Sequence, residues 1–395
     1  LKIAGIVAEY NPLHTGHLYH LNKTRELLGE DAAIVCVMSG NFTQRGDFAI
    51  FEKHARAEAA ILCGADLVLE LPLPWAISSA EGFAFGAVSI LNSLGIVTHL
   101  SFGSEAGCVE PLMRAADFLV SGRSDELIRR ELQKGVSFAH ARQIAAIKAL
   151  GEDAHILRSP NNILGVEYIK ALKNLNSSIT PLTFTRSGAG HDSAEIDRTA
   201  SASRLRSMIR NGENAFEYIP EAAAGVFRRE IDAGRGPVFI ENCEAAILAV
   251  LRRMSSEELC AFDGGGEGLG DRLFKAVSAG PSLDSVYAGA KTKRYALSRI
   301  RRLVLRAYLG IGPDFPKAPP YAKILALGKR GRLLLKNVGE AFPLITKPAA
   351  GKALKGEAKR VFELEARATD LYVLAYPKES ERYGGQEYTI GPKII

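Results

Sequence analysis

The sequence predicts an α/β protein: a parallel sheet with helices on both faces, carrying a helical insertion, followed by a mainly α-helical, basic C-terminal domain. Three observations carry this expectation. Short apolar runs alternate with helical periodicity over the first ~105 residues, as in strand–helix–strand units. From Val109 to Leu150 the pattern turns purely helical, which reads as an insertion between strands, a lid or a buttress. Beyond residue 212 helical patterns dominate and the charge balance reverses sign.

The elements follow in order. Ile3-Ala4-Gly5-Ile6-Val7-Ala8 has no polar face, as expected of a strand buried on both sides. Glu9–Leu13 is a tight loop, and His17–Leu28 has the periodicity of a helix. Ala32–Met38 is a second strand and Glu52–Cys63 an alanine-rich helix. Asp66–Leu71 is a third strand, closed by Pro72 and Pro74. Ser79–Asn92 is a helix, and Thr98–Phe102 a fourth strand ending at Gly103-Ser104-Glu105. After the insertion come a helix at Asn162–Leu175, a fifth strand at Ile179–Thr185 and a short helix at Ser201–Arg210, capped by Thr199 or Ser201. The sheet domain is expected to close near residue 212, giving a catalytic unit at 1–212 and a basic unit at 213–395. Clear helices there are Glu221–Ala233, Cys243–Met254, Glu267–Ala279 and Lys291–Leu309.

Composition narrows the function. A 47% hydrophobic and 24% charged chain of 395 residues can bury a large core. No apolar run reaches the ~18–20 residues of a membrane helix, so no membrane partner is expected. No signal-peptide pattern opens the sequence, and a cytoplasmic location is expected. Cys36, Cys63, Cys108, Cys243 and Cys260 form no CxxC pair, so neither a disulfide framework nor a zinc site is indicated. Residues 1–200 hold 18 Lys+Arg against 22 Asp+Glu, whereas residues 291–360 hold 18 against 3. So concentrated an excess points to a polyanion, although a merely solvated face has the same composition.

The motif that carries most chemistry is His14-Thr15-Gly16-His17, at the handover from the first strand to a helix. A helix N-terminus offers unpaired N–H groups and partial positive charge, which suits phosphate. Two imidazoles beside it can donate to oxygens that gain charge at a phosphorus under attack. Glu9 and Asn11 flank this loop at the strand's carboxyl end, where open α/β sheets bind ligands. Glu9 reads either as a group for a substrate hydroxyl or Mg²⁺, or as a surface carboxylate. Ser39–Asp47 follows the second strand with Gln44 and Arg45, and Lys53 and Arg56 lie just beyond. Asn161-Asn162 offers more than one helix cap requires. Arg186-Ser187-Gly188-Ala189-Gly190-His191-Asp192 follows the fifth strand, and Ser203 and Arg206 stand at a helix start, a second phosphate clamp. The glycines of 264–270 lack a preceding strand and are not a dinucleotide fingerprint, and no GxxxxGK[ST] occurs. Lys291, Lys293, Arg294, Arg299, Arg301 and Arg302, with Tyr295 and Tyr308, form a basic stretch over an apolar stripe and are the candidate RNA contacts.

These residues resemble the HxGH nucleotidyltransferase superfamily, whose members carry a later ISSTxxR helix. Ala200-Ser201-Ala202-Ser203-Arg204-Leu205-Arg206 holds that place with two positions relaxed. Longer stretches resemble the bacterial tRNA(Met) cytidine acetate ligase family: Val7–His17, Met38–Phe42, Gln44-Arg45-Gly46, Phe102–Glu105, Pro160–Gly165, Gly188–Asp192 and Lys291–Tyr295. The resemblance implies a Rossmann-like fold and a ligase that activates acetate with ATP and acetylates N4 of the wobble cytidine of elongator tRNA(Met), without acetyl-CoA. It implies a nucleotide site made of Val7, Ala8, Glu9, Tyr10, Asn11, Pro12, Leu13, His14, Thr15, Gly16, His17, Leu18, Tyr19 and His20, with Gly103, Asn162 and Arg186, to which Ser203 and Arg206 add the clamp. His14 and His17 are the expected catalytic pair, with Mg²⁺ accompanying ATP. Two other readings stand beside it: an adenylyltransferase acting on a phosphorylated small molecule, and a non-catalytic RNA-binding factor.

Overall fold

The computed structural model describes residues 1–136, 138–185, 200–263, 268–339 and 342–395. Ten strands appear: β1 (Ile3–Ala8), β2 (Ala33–Ser39), β3 (Phe42–Thr43), β4 (Asp47–Phe48), β5 (Leu67–Leu71), β6 (His99–Ser104), β7 (Thr180–Thr185), β8 (Ala322–Leu327), β9 (Leu344–Ile345) and β10 (Lys393–Ile394). The main sheet runs β10-β8-β5-β2-β1-β6-β7, with β9 also on β8, and β3 and β4 form a separate hairpin. From β5 to β7 every pairing is parallel.

Strand periodicity explains why these apolar runs have no polar face. Ile3, Val35, Val37, Leu67 and Leu69 join one core cluster, and Ala4, Ile6, Ile34, Cys36 and Val68 the other. At ~1.5–3 kcal/mol for each fully buried large aliphatic side chain, the two faces hold the sheet between helical layers. A Cβ on Gly5 would stand 2.6 Å from Leu91, so the Ala80–Ser93 helix lies directly on β1. The insertion is a buttress. Its helices Val109–Val120, Arg123–Leu132 and Phe138–Leu150 contribute Leu112, Ala116, Ile128 and Ala145 to the same core as the sheet.

Two sequence expectations are corrected. The sheet does not close near residue 212, because β8 pairs antiparallel with β5 and brings β9 and β10 with it. A six-residue strand such as Ala322–Leu327 carries no local signal for the strand it will join, so this long-range pairing was hidden. The expected Lys291–Leu309 helix is shorter: a preceding helix ends at Ala290, residues 291–296 connect, and the helix itself begins at Leu297. Thr292 breaks it, its Oγ1 accepting from the N–H groups of Arg294 (3.1 Å) and Tyr295 (3.3 Å). Lys291, Lys293 and Arg294 therefore sit on a connecting loop.

Candidate active site and nucleic-acid interface

β1 is the switch point of the sheet: β2 pairs on one side and β6 on the other. A crevice at the carboxyl ends of β1 and β6 follows from that order. The chain leaves β1 at Ala8 and turns through Tyr10, whose φ is +45°, and a cis Asn11–Pro12 peptide. Tyr10 is buried with its hydroxyl against Cys36 Sγ (3.4 Å), and Leu13 is buried beside it in the core. The helix Thr15–Leu28 then begins, with His14 as its N-cap.

The two histidines cap this helix reciprocally. His14 Nδ1 accepts from the Gly16 N–H (3.1 Å), and His17 Nδ1 accepts from the His14 N–H (3.3 Å). With Nδ1 an acceptor, a neutral ring carries its proton on Nε2. The ring centroids are 4.0 Å apart, and Tyr10 packs edge-on against His17 at 5.0 Å. The backbone at this helix N-terminus thus fixes the orientation of both imidazoles. Further along this helix, His20 Nε2 meets Ser101 Oγ (3.2 Å), and Tyr19 and His20 both pack on Phe184 of β7.

The expected clamp reaches the loop. Arg206, on the Ala202–Arg210 helix, donates to Asn11 O (2.8 Å) and to Ser203 Oγ (3.2 Å). Ser201 is the cap of that helix, accepting from the Arg204 N–H (3.3 Å). Asn11 Oδ1 accepts from the Ile50 N–H (2.7 Å). Glu9 Oε1 accepts from the Gln44 N–H (2.6 Å). Burial pushes the Glu9 carboxyl up, against the opposing pull of that bond and of Arg206, Arg56 and Arg45.

Gly103 lies in β6 opposite Phe184, and Asn162 is buried in the first turn of the Pro160–Asn174 helix. Asn162 Oδ1 accepts from the Ala106 N–H (3.0 Å), while Glu105 accepts from Asn161 Nδ2 (2.7 Å) and from the Asn162 N–H (2.8 Å). The asparagine pair therefore zips that helix to the loop after β6. Arg186 and the Arg186–Asp192 motif lie outside the described residues.

Arg56 is the group whose importance the sequence hid. It is fully buried and donates to the carbonyls of Phe51 (2.9 Å), Ser39 (3.1 Å), Gly40 and Glu9, tying the loops after β1 and β2 together. Its one sequence signal is an arginine among the buried alanines 55, 57, 59 and 60.

The basic residues are distributed unevenly. Lys293 and Arg294 are exposed on the loop, and Lys291 donates to Tyr295 O (3.1 Å). Arg299 pairs with Asp263 (3.1 Å). Arg302 donates to Gln44 O (3.3 Å), and burial, then Arg299 and Arg306, disfavour its charge. Arg301 lies over the Tyr287 ring at 5.3 Å. The β3–β4 hairpin links this helix to the loop after β1, Gln44 bonding both Arg302 and Glu9. Gly46 has φ +79° and a Cβ there would stand 2.5 Å from Arg302 N, so only glycine allows the contact.

Comparison with known proteins agrees with this geometry. A family model described as HIGH Nucleotidyl Transferase matches residues 1–387. The tRNA(Met) cytidine acetate ligase of Caldanaerobacter subterraneus subsp. tengcongensis is 40% identical over 388 residues, 95% of this chain and 96% of the relative. That of Acetivibrio thermocellus is 38% identical, covering 98% and 99%. The chain belongs to the tRNA(Met) cytidine acetate ligase family. The crystal structure of Thermotoga maritima TmcAL bound with alpha-thio ATP superposes with a TM-score of 0.92 at 34% identity over 100% of both chains, and its apo form with 0.95. Among the described residues no helix is long and apolar enough to cross a membrane.

Proposed function

We propose that this chain is an ATP-dependent acetate ligase that acetylates N4 of the wobble cytidine of elongator tRNA(Met) in the cytoplasm. In the first step an acetate oxygen attacks the α-phosphorus of ATP, the bond to pyrophosphate breaks, and acetyl-adenylate forms. His14 and His17 donate from Nε2 to the α-phosphate oxygens as charge builds there. Arg206 and the helix N-terminus receive the outer phosphates. Mg²⁺, entering with ATP, would neutralise phosphate charge; Glu9, a carboxylate at the strand end, is the side chain suited to hold it. In the second step the cytidine amine attacks the acetyl carbon, AMP leaves, and N4 loses a proton. The base must be splayed out of the anticodon loop to get there. We assign tRNA binding to the 213–395 region, through Lys291, Lys293, Arg294, Arg299, Arg301 and Arg302.

The observation that supports this reading is the reciprocal His14–His17 cap, in which both Nδ1 atoms accept from backbone N–H groups, so that a neutral ring carries its proton on Nε2. The test is incubation with labelled acetate, ATP, Mg²⁺ and bulk bacterial tRNA, followed by nucleoside analysis. The expected product is N4-acetylcytidine that depends on ATP and acetate and is not formed from acetyl-CoA. Acetate-independent release of pyrophosphate with a phosphorylated metabolite would replace this reading with the small-molecule adenylyltransferase.

A further inference from the structure

Beside the nucleotide loop lies a cleft of about 220 Å³, lined by Asp47 of the hairpin, Ser203 and Arg206 of the clamp helix, and Asp284, Tyr287 and Arg301 of the basic half. Two features mark it as built for a ligand. The Tyr287 side chain is buried, yet its hydroxyl has no hydrogen-bond partner, a costly state for a buried donor. Tyr287 lines the cleft together with Arg301, Asp47, Glu241 and Asp284, whose charges act on that hydroxyl. Asp47 makes no ion pair among the described residues, although Arg206 and Arg301 line the same space; one of its oxygens accepts from the Phe48 N–H (2.8 Å).

The charges disfavour a phosphate here. Glu241 and Glu244 also line the cleft, so its carboxylates outnumber its guanidiniums. Arg210 is already paired with Glu241 (3.0 Å), and Glu244 accepts from the Leu283 N–H (2.7 Å). What remains is the Asp47 and Asp284 carboxylates, a tyrosine hydroxyl, Arg206 shared with the loop after β1, and the Arg301 guanidinium plane backed by the Tyr287 ring. That set matches a neutral base that donates from an amine, accepts on its ring edge and stacks.

We propose that this cleft receives the cytosine of the acceptor nucleotide, with Asp47 accepting from the N4 amine, the Tyr287 hydroxyl bonding the pyrimidine edge and Arg301 stacking on the base. This rests on the acetate-ligase reading. As N4 bonds to the acetyl carbon and the carbon–oxygen bond to AMP breaks, the proton lost from N4 passes to the Asp47 carboxylate. Burial pushes the Asp47 carboxyl up, which improves it as an acceptor. Arg206 spans both sites, lining the cleft and donating to Asn11 O (2.8 Å).

The test compares binding of two anticodon stem-loop RNAs, with cytidine or uridine at the reactive position, to the full chain. Wild type is expected to prefer cytidine about tenfold or more. In Asp47→Asn the amide can donate to uracil O4, so the preference should fall below about twofold or reverse. Tyr287→Phe should weaken cytidine binding about fivefold, and its melting temperature guards against misfolding. An Asp47→Asn variant that keeps the wild-type preference overturns the proposal, as does a Tyr287→Phe variant of unchanged affinity. Failure of the underlying reading looks different: wild type would then release no pyrophosphate in response to acetate, whatever its base preference.

Discussion

His17 has two roles that substitution can separate. As the third helical residue it caps the His14 N–H at 3.3 Å, and in the proposed reaction it donates from Nε2 to the α-phosphate. His17→Ala removes both. Loss of the cap costs about 1 kcal/mol, a melting shift of about 2 °C. Loss of one donor to a developing oxyanion costs about 2.7–4 kcal/mol, or 10²–10³ in rate. His17→Glu keeps an acceptor at the position where a capping box normally has Glu, and its charge suits the helix dipole. It offers no proton and places a negative charge beside phosphate. Its melting temperature should therefore match wild type within about 1 °C while its rate falls at least as far as that of the alanine variant, at least ~10²-fold. The assay is single-turnover, acetate-dependent release of pyrophosphate from ATP, with thermal unfolding in parallel. If both variants lost less than about fivefold in rate, in proportion to their loss of stability, His17 would be a cap only and the oxyanion argument would be wrong.

Other variants test the surroundings of that step. Arg206→Met, which deletes the donor to Asn11 O and Ser203, should raise the KM for ATP about tenfold or more, read in the same assay. Arg56→Lys leaves several of its four buried carbonyl contacts unmade and should cost about 3 kcal/mol or more, measured by urea unfolding. Glu387→Ala leaves Lys53 (2.6 Å) and Lys323 buried without that partner and should cost about 3–5 kcal/mol by the same measurement. Burial, then the neighbouring Glu70 carboxylate, hold Glu365 well above the usual carboxylate range. A carboxyl whose folded pKa is raised contributes stability that is full below about pH 4 and is lost as pH rises through the folded value. Glu365→Gln, still able to accept from the Leu73 N–H, should therefore flatten the alkaline decline in unfolding free energy; an unchanged slope would exclude Glu365 as its source.

How much of this was legible in the sequence depends on the range of the signal. The strand–loop–helix at residues 3–28, the capping serine at 201 and the arginine at 206 were readable, because each depends on residues a few positions apart. Apolar runs marked β1, β2 and β5, since two buried faces leave such a run whatever its partners. The adjacency of Arg206 to Asn11, of Gln44 to Glu9 and of Tyr287 to Asp47 was not readable, because tertiary packing creates it. The basic stretch shows the difference within one segment. Its composition was plain, but Thr292 turns the chain, so Lys293 and Arg294 face solvent while Arg299, Arg301 and Arg302 are half-buried against Asp263, Tyr287 and Gln44. Composition alone treats all six as equivalent.

The buried charges show why the two halves of the chain cannot be treated as separable. Lys53 follows the loop after β4, Glu70 is in β5, Lys323 is in β8, and Glu387 lies near the end of the chain. Lys53 bridges Glu70 (2.7 Å) and Glu387 (2.6 Å), Lys323 also holds Glu387, and Thr369 donates to it (2.8 Å). All four charged groups are almost wholly buried, so each depends on the others for the solvation it gave up. Cutting the chain near residue 212 would remove Lys323 and Glu387 from this cluster and strip β8 from β5. The remaining piece would keep Lys53 paired with Glu70 alone and would expose β5 as an edge strand. A fragment of residues 1–212 should therefore aggregate or fail to bind ATP, although every expected nucleotide contact lies within it. The same connection runs through Gly46, which lays the loop between β3 and β4 on the basic helix. The loop after β1, the cleft lined by Asp47 and Tyr287, and the basic helix are thus held by one continuous packing arrangement.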